Sequence, residues 1–289
     1  MVHVQVLGPL KVQDGGASIV PRAGKPRQVL ALLALHRDRM VPAGLLIEEL
    51  WGDDPPRSAA ATLQTYVLQL RRLITAGRSD PQRHPAAGTL VTGRGGYLIT
   101  GGSEPSDLDE FTEQAAAGAV AMDANDPRVA SARYSRALAL WRGPALADVP
   151  LGPVLRPDAL GLEQSHAHVL SRRIDADLQL GRHATLLGEL GALVADRPLD
   201  EGLSAQYMVA LYRDRKPGRA LDVFQGLRRA LRESLGTEPS PRLQRLFHSI
   251  AHRDATAGTT QDGTALGASA GTALGASGDD SLIGADPVH

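Results

Sequence analysis

Apolar residues recur at three- and four-residue spacing over residues 58–75, a period typical of an amphipathic helix. One line along this helix carries the large apolar side chains Leu63, Val67, Leu70 and Ile74. The opposite side and its flanks carry hydroxyl, amide and guanidinium groups and one further apolar residue: Ser58, Thr62, Gln64, Thr65, Leu68, Gln69, Arg71 and Arg72. These polar groups are the types that bond base edges and phosphates, and no acidic residue lies among them. Because the solvated side of an ordinary surface helix has a similar pattern, the neighbouring segments must decide between the two interpretations.

Short strands and two more helices are predicted ahead of this helix. Residues 3–7, 10–13 and 17–20 form short apolar stretches separated by glycine-containing turns, which indicates strands. A helix is predicted to open at Pro26 and to end near residues 37–38. A second helix is predicted from Pro42 to Trp51, closed by Gly52.

A β-hairpin is predicted behind the polar-faced helix, over residues 89–100. Two short apolar strands flank a glycine-rich turn that carries Arg94 at its tip, two positions after Thr92. A simple closing edge of the sheet would have a similar pattern. Strands, three helices and a hairpin in this order predict a winged helix.

The rest of the chain changes character after a short linker, residues 101–106. Apolar residues at helical spacing predict helices over 107–122, 127–141, 158–180, 183–195, 201–213, 218–235 and 241–252. Glycine–arginine pairs open two of these helices at a spacing near the roughly 34-residue step of tetratricopeptide repeats, with a non-repeating bundle as the alternative. Residues 255–289 hold 15 Ala and Gly and no Lys or Arg, which predicts a disordered tail.

The charge distribution separates the two halves, although the net charge is only −1. Lys and Arg outnumber Asp and Glu in residues 1–100, and the acidic residues predominate after residue 100. A basic module ahead of an acidic one indicates that the first meets a polyanion. The absence of cysteine excludes disulfides and thiolate metal sites. With neither a signal segment nor a membrane span evident, we expect a cytoplasmic protein with no membrane contact, nucleoid-associated when bound to DNA.

Catalytic and cofactor chemistry is not evident in the sequence. No Gly-x-Ser-x-Gly elbow or nucleotide-binding glycine loop occurs. His248 and His252 lie one helical turn apart, but no third ligand accompanies them, so no metal site is expected. We therefore predict no cofactor, no metal and no enzymatic activity.

Three motifs of the first half resemble the OmpR-type winged-helix domain. They are LIEELWG at 46–52, the apolar line of residues 63–70 followed by Arg71 and Arg72, and the pair Gly96 and Tyr97. The resemblance implies that the third helix enters the major groove and that the hairpin wing reaches the adjacent backbone or minor groove. It therefore implies DNA contacts from the polar residues of that helix and from Thr92 and Arg94 of the wing. Two departures are Gly93, which separates Thr92 from Arg94, and Pro42, which replaces a capping Ser or Thr.

The second half resembles the bacterial transcriptional activation domain, in the strings ALALWRGPAL at 137–146 and ADLQLGRH at 176–183 and in LGTEPSP at 235–241. An OmpR-type winged helix followed by this domain is the layout of the Streptomyces antibiotic regulatory proteins. The fold implied is mainly α with a small β component: a winged helix-turn-helix over 1–100 and a tetratricopeptide-like all-α domain over 107–254.

The resemblance implies a transcriptional activator of antibiotic biosynthesis. Such proteins bind direct repeats in double-stranded DNA near promoters, as homodimers or side-by-side protomers, and contact RNA polymerase holoenzyme including its sigma factor. The alternative from another class is a helical-repeat scaffold whose winged helix contacts protein. DNA binding measured at several salt concentrations distinguishes the two hypotheses.

Overall fold

The computed structural model describes residues 2–14, 16–76, 89–100 and 104–261. The chain begins with a three-stranded antiparallel sheet in the order β1-β2-β3. Its strands are β1 (Val2–Gln5), β2 (Lys11–Asp14) and β3 (Ala17–Ser18). The alternating burial of β2 follows from its period-two pattern, with one face of the sheet turned to the core.

A winged helix follows the first sheet. Its helices are α1 (Gly24–Leu35), α2 (Ala43–Trp51) and α3 (Ala59–Ala76), and its strands are β4 (Val41–Pro42), β5 (Leu90–Gly93) and β6 (Gly96–Ile99). The second sheet is antiparallel in the order β4-β6-β5. Strand β4 was not predicted, because two residues carry no periodicity. A Cβ added at Gly96 would lie 2.2 Å from the Val41 carbonyl oxygen, so the pairing with β4 requires glycine there.

The apolar line predicted on α3 is buried, as the periodicity requires. Leu63, Val67, Leu70 and Ile74 are each at most 2 % exposed. They pack in one cluster with Leu30 and Leu33 of α1 and with residues of β5 and β6. This packing fixes the opposite side of α3 toward solvent.

The second half is helical from residue 107 onward, which confirms the predicted fold class. Its helices are α4 (Asp107–Asp123), α5 (Pro127–Ala139), α6 (Leu155–Gln179), α7 (His183–Asp196), α8 (Glu201–Arg213), α9 (Pro217–Leu235) and α10 (Pro241–Gln261). Consecutive helices pack against one another in pairs. Among the helices described, none is long and apolar enough to cross a membrane.

Helix α10 extends beyond its predicted end at residue 252, to Gln261. Residues 255–261, assigned to a disordered tail by composition, are therefore helical. No proline interrupts the stretch after Pro241, and its alanines favour a helix. Residues 262–289 of the predicted tail lie outside the described residues, as do residues 101–103 of the predicted linker.

The two halves share one hydrophobic core. A single cluster of buried side chains runs from Val4 in the first sheet through α1 and α3 to Phe111, Tyr134 and Leu155 of the helical half. The predicted linker thus joins two units whose apolar faces are buried against each other.

Asp107, the first residue of α4, ties the helical half to the first sheet. Its carboxylate accepts hydrogen bonds from the backbone N–H groups of Val6 (2.8 Å) and Leu7 (3.0 Å). The backbone of the segment after α5 pairs with the same two residues, because Arg142 N–H donates to the Leu7 carbonyl and Leu146 N–H to that of Val6. Buried backbone groups of the segment that follows β1 are thereby satisfied by the second half of the chain.

Glu49 of α2 makes the corresponding tie on the winged-helix side. Its side chain is buried, and the two carboxylate oxygens accept hydrogen bonds from the backbone N–H groups of Gly152 (2.7 Å), Val154 (3.0 Å) and Leu155 (2.9 Å). These donors lie at the start of α6, where backbone N–H groups lack partners within the helix and favour a negative charge. A Cβ added at Gly152 would lie 2.1 Å from the Glu49 carbonyl oxygen, so the approach requires glycine.

Candidate nucleic-acid interface

The solvent side of α3 displays the predicted polar residues. Its outer face is formed by Gln64, Thr65, Leu68, Gln69 and Arg72, all of which are exposed. Leu68 is 48 % exposed, which is high for a leucine in a well-packed domain. The outer face thus combines amide, hydroxyl, guanidinium and methyl groups, a set able to contact base edges, phosphates and thymine methyls.

Ser58 and Thr62 lie near the start of α3, and the structure places them differently. Ser58 is exposed just before the helix, and its carbonyl accepts a hydrogen bond from the Thr62 backbone N–H (2.9 Å). Thr62 is partly buried, so its side chain is less accessible than those of the outer face. Both remain predicted DNA contacts.

The glutamine amides of the outer face can hydrogen-bond a ligand, whereas the hydroxyl of Thr65 already donates its proton within the helix. Within the described residues, neither Gln64 nor Gln69 makes a side-chain hydrogen bond. A glutamine amide can contact adenine with its donor and its acceptor at once. The Thr65 hydroxyl donates to the Ala61 carbonyl (3.1 Å), which leaves its oxygen lone pairs and methyl group outward.

Arg71 faces the wing. Its guanidinium donates to the Leu90 carbonyl through Nε (3.3 Å) and Nη2 (3.0 Å), and Nη2 also donates to the Thr92 hydroxyl (2.7 Å). Arg71 and Thr92, both predicted to contact DNA, therefore bond each other in the free protein. Their contact fixes β5 against α3, and a phosphate contact by either residue remains a prediction.

The wing tip presents Arg94 on a tight turn. Gly95 follows it with φ +80°, a conformation that favours glycine, and its carbonyl accepts from the Ala43 N–H (2.8 Å) at the start of α2. Arg94 is exposed, and within the described ranges its guanidinium has no partner. The same holds for Arg72 on α3, so one cation on the outer face and one at the wing tip are uncompensated.

Gly93, the departure from the family pattern, lies against the end of the Met40 side chain. A Cβ added at this position would lie 2.2 Å from the Met40 Cε, so a side chain would displace the methionine that covers the wing. Strand β5 ends at Gly93 and β6 begins at Gly96, so Arg94 lies in the turn and not within a strand.

Arg57 is a further candidate that the sequence pattern did not single out. It is exposed immediately before α3, and its side chain has no partner in the part of the chain that the structure describes. It lies outside the periodic segment, so only its position beside the first turn of α3 reveals it.

A winged helix with a polar, acid-free outer face, joined through a shared core to an all-α domain, defines a two-domain transcriptional regulator. The model of the bacterial transcriptional activator domain matches residues 106–251. The model described as transcriptional regulatory protein, C terminal, matches residues 19–85. The chain belongs to the Streptomyces antibiotic regulatory protein family, which confirms the resemblance in its motifs. Its members are transcriptional regulators and not enzymes, as predicted for this chain.

The relatives support this membership over most of the chain. Regulatory protein DnrI of Streptomyces peucetius is 45 % identical over 253 residues, which cover 88 % of this chain and 93 % of DnrI. Regulatory protein AfsR of Streptomyces coelicolor is 38 % identical over 250 residues, which cover 86 % of this chain but only 24 % of AfsR. The solved structure of Mycobacterium tuberculosis EmbR in complex with a low-affinity phosphopeptide is similar in fold. Its TM-score is 0.79 at 30 % identity, covering 91 % of this chain and 69 % of EmbR.

Proposed function

We propose that this regulator is a sequence-specific DNA-binding activator of antibiotic biosynthesis genes. It binds direct repeats near promoters with α3 in the major groove and the wing on the neighbouring backbone or minor groove. Protomers lie side by side on the repeats or as a homodimer, and the helical domain recruits RNA polymerase holoenzyme through contacts that include the sigma factor. This role places the protein in the cytoplasm, on the nucleoid.

The observation that carries the proposal is the outer face of α3. On this face lie two glutamine amides without a hydrogen bond within the described residues, the guanidinium of Arg72 and the exposed Leu68. The other side of the helix is buried. Arg94 adds a second unpaired cation at the wing tip. Amides bond base edges, cations attract phosphates, and the apolar group fits a thymine methyl.

DNase I footprinting of the full chain on DNA upstream of its neighbouring genes tests the proposal. We expect two or more protected segments in direct repeat, with an affinity that falls as the salt concentration rises. Binding without sequence preference, or no binding at low salt, would contradict it. The exposed Leu68 is also compatible with the scaffold hypothesis, in which the outer face contacts protein, and absent DNA binding would favour that alternative.

Run-off transcription with purified polymerase tests the activation step separately. At protein concentrations that saturate the mapped operator, we expect more transcript than without the protein. Complete footprints with no gain in transcript would retain DNA binding and reject recruitment of the polymerase.

A further inference from the structure

The middle of the outer face of α3 presents methyl groups, and its polar side chains lie at the borders. Successive residues of a helix are turned by about 100°, so Ala61, Thr65 and Leu68 lie close to one line, with Gln64 and Gln69 on either side of it. All five residues are exposed. The part of α3 that lies furthest from the core therefore offers apolar contacts, flanked by two hydrogen-bonding amides.

Thr65 and Leu68 have no proton to donate to a base. The Thr65 hydroxyl donates to the Ala61 carbonyl (3.1 Å), and the Leu68 side chain is a hydrocarbon. Ala61, one turn before Thr65, projects only a methyl group, so a surface can approach α3 closely at this point. The contact that Thr65 and Leu68 offer to a ligand is therefore mainly a van der Waals contact.

The major groove of DNA presents one group that matches these side chains. The C5-methyl of thymine is the apolar group that base pairs expose there, and the other groups are hydrogen-bond donors and acceptors. An apolar side chain packed on those donors and acceptors leaves them without a partner, which is unfavourable. Arginine commonly reads guanine, but Arg71 is bonded to the Leu90 carbonyl and the Thr92 hydroxyl. The middle of the outer face thus favours thymine.

The spacing of the two side chains fits two thymines. Thr65 and Leu68 are three residues apart, which is about 4.5 Å along the helix axis at about 1.5 Å per residue. Neighbouring base pairs lie about 3.4 Å apart along each strand. Two thymines of neighbouring pairs can therefore contact both side chains at once, whereas a single thymine leaves one of them without a partner.

We propose that Thr65 and Leu68 read the C5-methyl groups of two thymines in neighbouring A·T pairs of the operator. The inference rests on the function proposed above, since it takes α3 to lie in the major groove. It assigns sequence specificity to apolar contacts at the centre of the outer face, in addition to the amides at its borders. Each protected repeat accordingly contains two neighbouring A·T pairs beneath the middle of α3.

Deoxyuridine substitution tests the proposal with the full-length protein and the operator mapped by footprinting. Deoxyuridine lacks the C5-methyl group and keeps every hydrogen-bonding group of thymidine. The thymines of one repeat are replaced one at a time, on either strand, and the affinity is measured by fluorescence anisotropy. We expect two positions, in neighbouring pairs, at which the replacement weakens binding about fourfold, the loss that corresponds to one buried methyl group.

Two variants then assign each thymine to a side chain. Thr65→Ser removes one methyl group and keeps the hydroxyl that bonds within the helix. This variant should bind thymine and uracil alike at one of the two positions. Leu68→Ala should bind them alike at the other position. Each variant should retain the wild-type difference at the position that the other side chain reads.

Matched controls are available in the helical half. Thr112 of α4 is also exposed and donates its hydroxyl proton to the carbonyl four residues earlier, that of Leu108 (2.8 Å), so Thr112→Ser is the counterpart of Thr65→Ser. Leu160 of α6 is exposed, so Leu160→Ala is the counterpart of Leu68→Ala. Both controls should keep the difference between thymine and uracil at both positions, and thermal melting of all four variants checks that they fold.

The outcomes separate this inference from the proposed function. If the footprint persists but no single replacement of thymine weakens binding, the protein binds DNA and the reading of methyl groups is wrong. If Thr65→Ser and Leu68→Ala both keep the wild-type differences, other residues contact the methyl groups and the assignment is overturned. A missing footprint on unmodified DNA would instead reject the proposed function, and this inference with it.

Discussion

Gln69 and Leu68 lie side by side on the outer face of α3, and their side chains could recognise different features of DNA bases. An amide distinguishes bases by paired hydrogen bonds, whereas an exposed methyl group reports only the presence of a thymine methyl. Gln69 has no side-chain hydrogen bond within the described residues, so no internal contact must break before it binds. Gln69, like Gln64, is therefore suited to sequence discrimination.

Gln69→Ala should weaken binding to the mapped operator by about 1–3 kcal/mol, because a base contact is lost. Binding to random duplex should change little. Competition gel-shift assays with both duplexes measure the difference, and Gln13→Ala, at an exposed glutamine of β2, is the matched control. Equal weakening on operator and random DNA would show that Gln69 does not read sequence.

Arg72 and Arg94 should behave differently from Gln69, because phosphate contacts carry no sequence information. Replacing either by Ala should lower affinity on all duplexes and flatten the slope of log K against log salt by about 0.9. Salt titrations of each variant measure this, with Arg136→Ala on α5 as the control for a lost surface charge. An unchanged slope for Arg94→Ala would mean that the wing tip does not touch the duplex.

At the scale of elements, the wing and α3 form one unit because Arg71 joins them. Its three hydrogen bonds to Leu90 and Thr92 connect α3 to β5, the edge strand of the second sheet, whose Leu90 also packs in the core. A guanidinium suits this position, since its planar fork reaches a carbonyl and a hydroxyl together. The position of the wing relative to the outer face of α3 thus depends on the hydrogen bonds of Arg71.

Arg71→Met should loosen the wing, since the apolar stem remains while all three hydrogen bonds disappear. We expect faster amide hydrogen exchange in β5 and lower affinity for DNA of any sequence. Arg72→Met removes the same charge from the adjacent position without touching the wing, so it should weaken DNA binding and leave exchange in β5 unchanged. Identical exchange in Arg71→Met and Arg72→Met would show that the contact does not order the wing.

His166 of α6 packs against the segment that follows α5. Its ring lies 4.5 Å from that of Trp141, centroid to centroid. Burial lowers the pKa of His166 below its usual value of 6.5, Glu163 opposes this, and Arg197 lowers the pKa further. Because the pKa of His166 is lower in the folded state than in the unfolded state, its neutral imidazole contributes fully to the stability of the fold above pH 6.5. That contribution is lost as the pH falls through the folded pKa.

His166→Phe should therefore reduce the pH dependence of folding, since the aromatic contact with Trp141 is retained without a titrating group. Urea unfolding at intervals from pH 7.5 to pH 5 measures this, and the wild type should lose more stability on acidification than the variant. Parallel losses in the two proteins would exclude His166 as a source of the pH dependence.

For the whole molecule, the arrangement of the two halves follows from buried polar contacts as well as the shared core. Glu49 links α2 to the start of α6, and Asp107 links α4 to the first sheet. At the end of α1, Arg37 donates to the Asp109 carboxylate (2.8 Å). Burial acts to raise the pKa of Asp109, but hydrogen bonds from Ser106 and the charge of Arg37 outweigh it and hold the pKa below its usual value. These contacts fix the outer face of α3, the proposed DNA-binding surface, relative to the helical half.

Glu49→Gln should lower the free energy of unfolding by about 1–3 kcal/mol, because an amide group replaces one acceptor facing buried N–H donors. Glu48→Gln changes the exposed neighbour and should stay within about 0.5 kcal/mol of the wild type. Urea unfolding followed by circular dichroism measures both. Equal stability of the two variants would mean that the carboxylate adds nothing to the contact between the halves.

The sequence by itself determined the helices, their faces and the hairpin, because each depends on residues a few positions apart. The buried line of α3 and the exposed position of Gln69 follow from a 3.6-residue period alone. The family could also be recognised from the sequence, since its motifs are contiguous stretches of residues.

Only the tertiary structure decided which partners the polar side chains take. Arg71 has the charge and the place on α3 that predict a phosphate contact. In the structure it donates hydrogen bonds to Leu90 and Thr92, 19 and 21 residues away. Glu49 reads as an ordinary acidic residue of α2, yet it bonds N–H groups more than 100 residues further on. Periodicity specifies the side of a helix that is buried but not the element that covers it. Contacts between distant segments form only when the whole chain packs, so no local pattern records them.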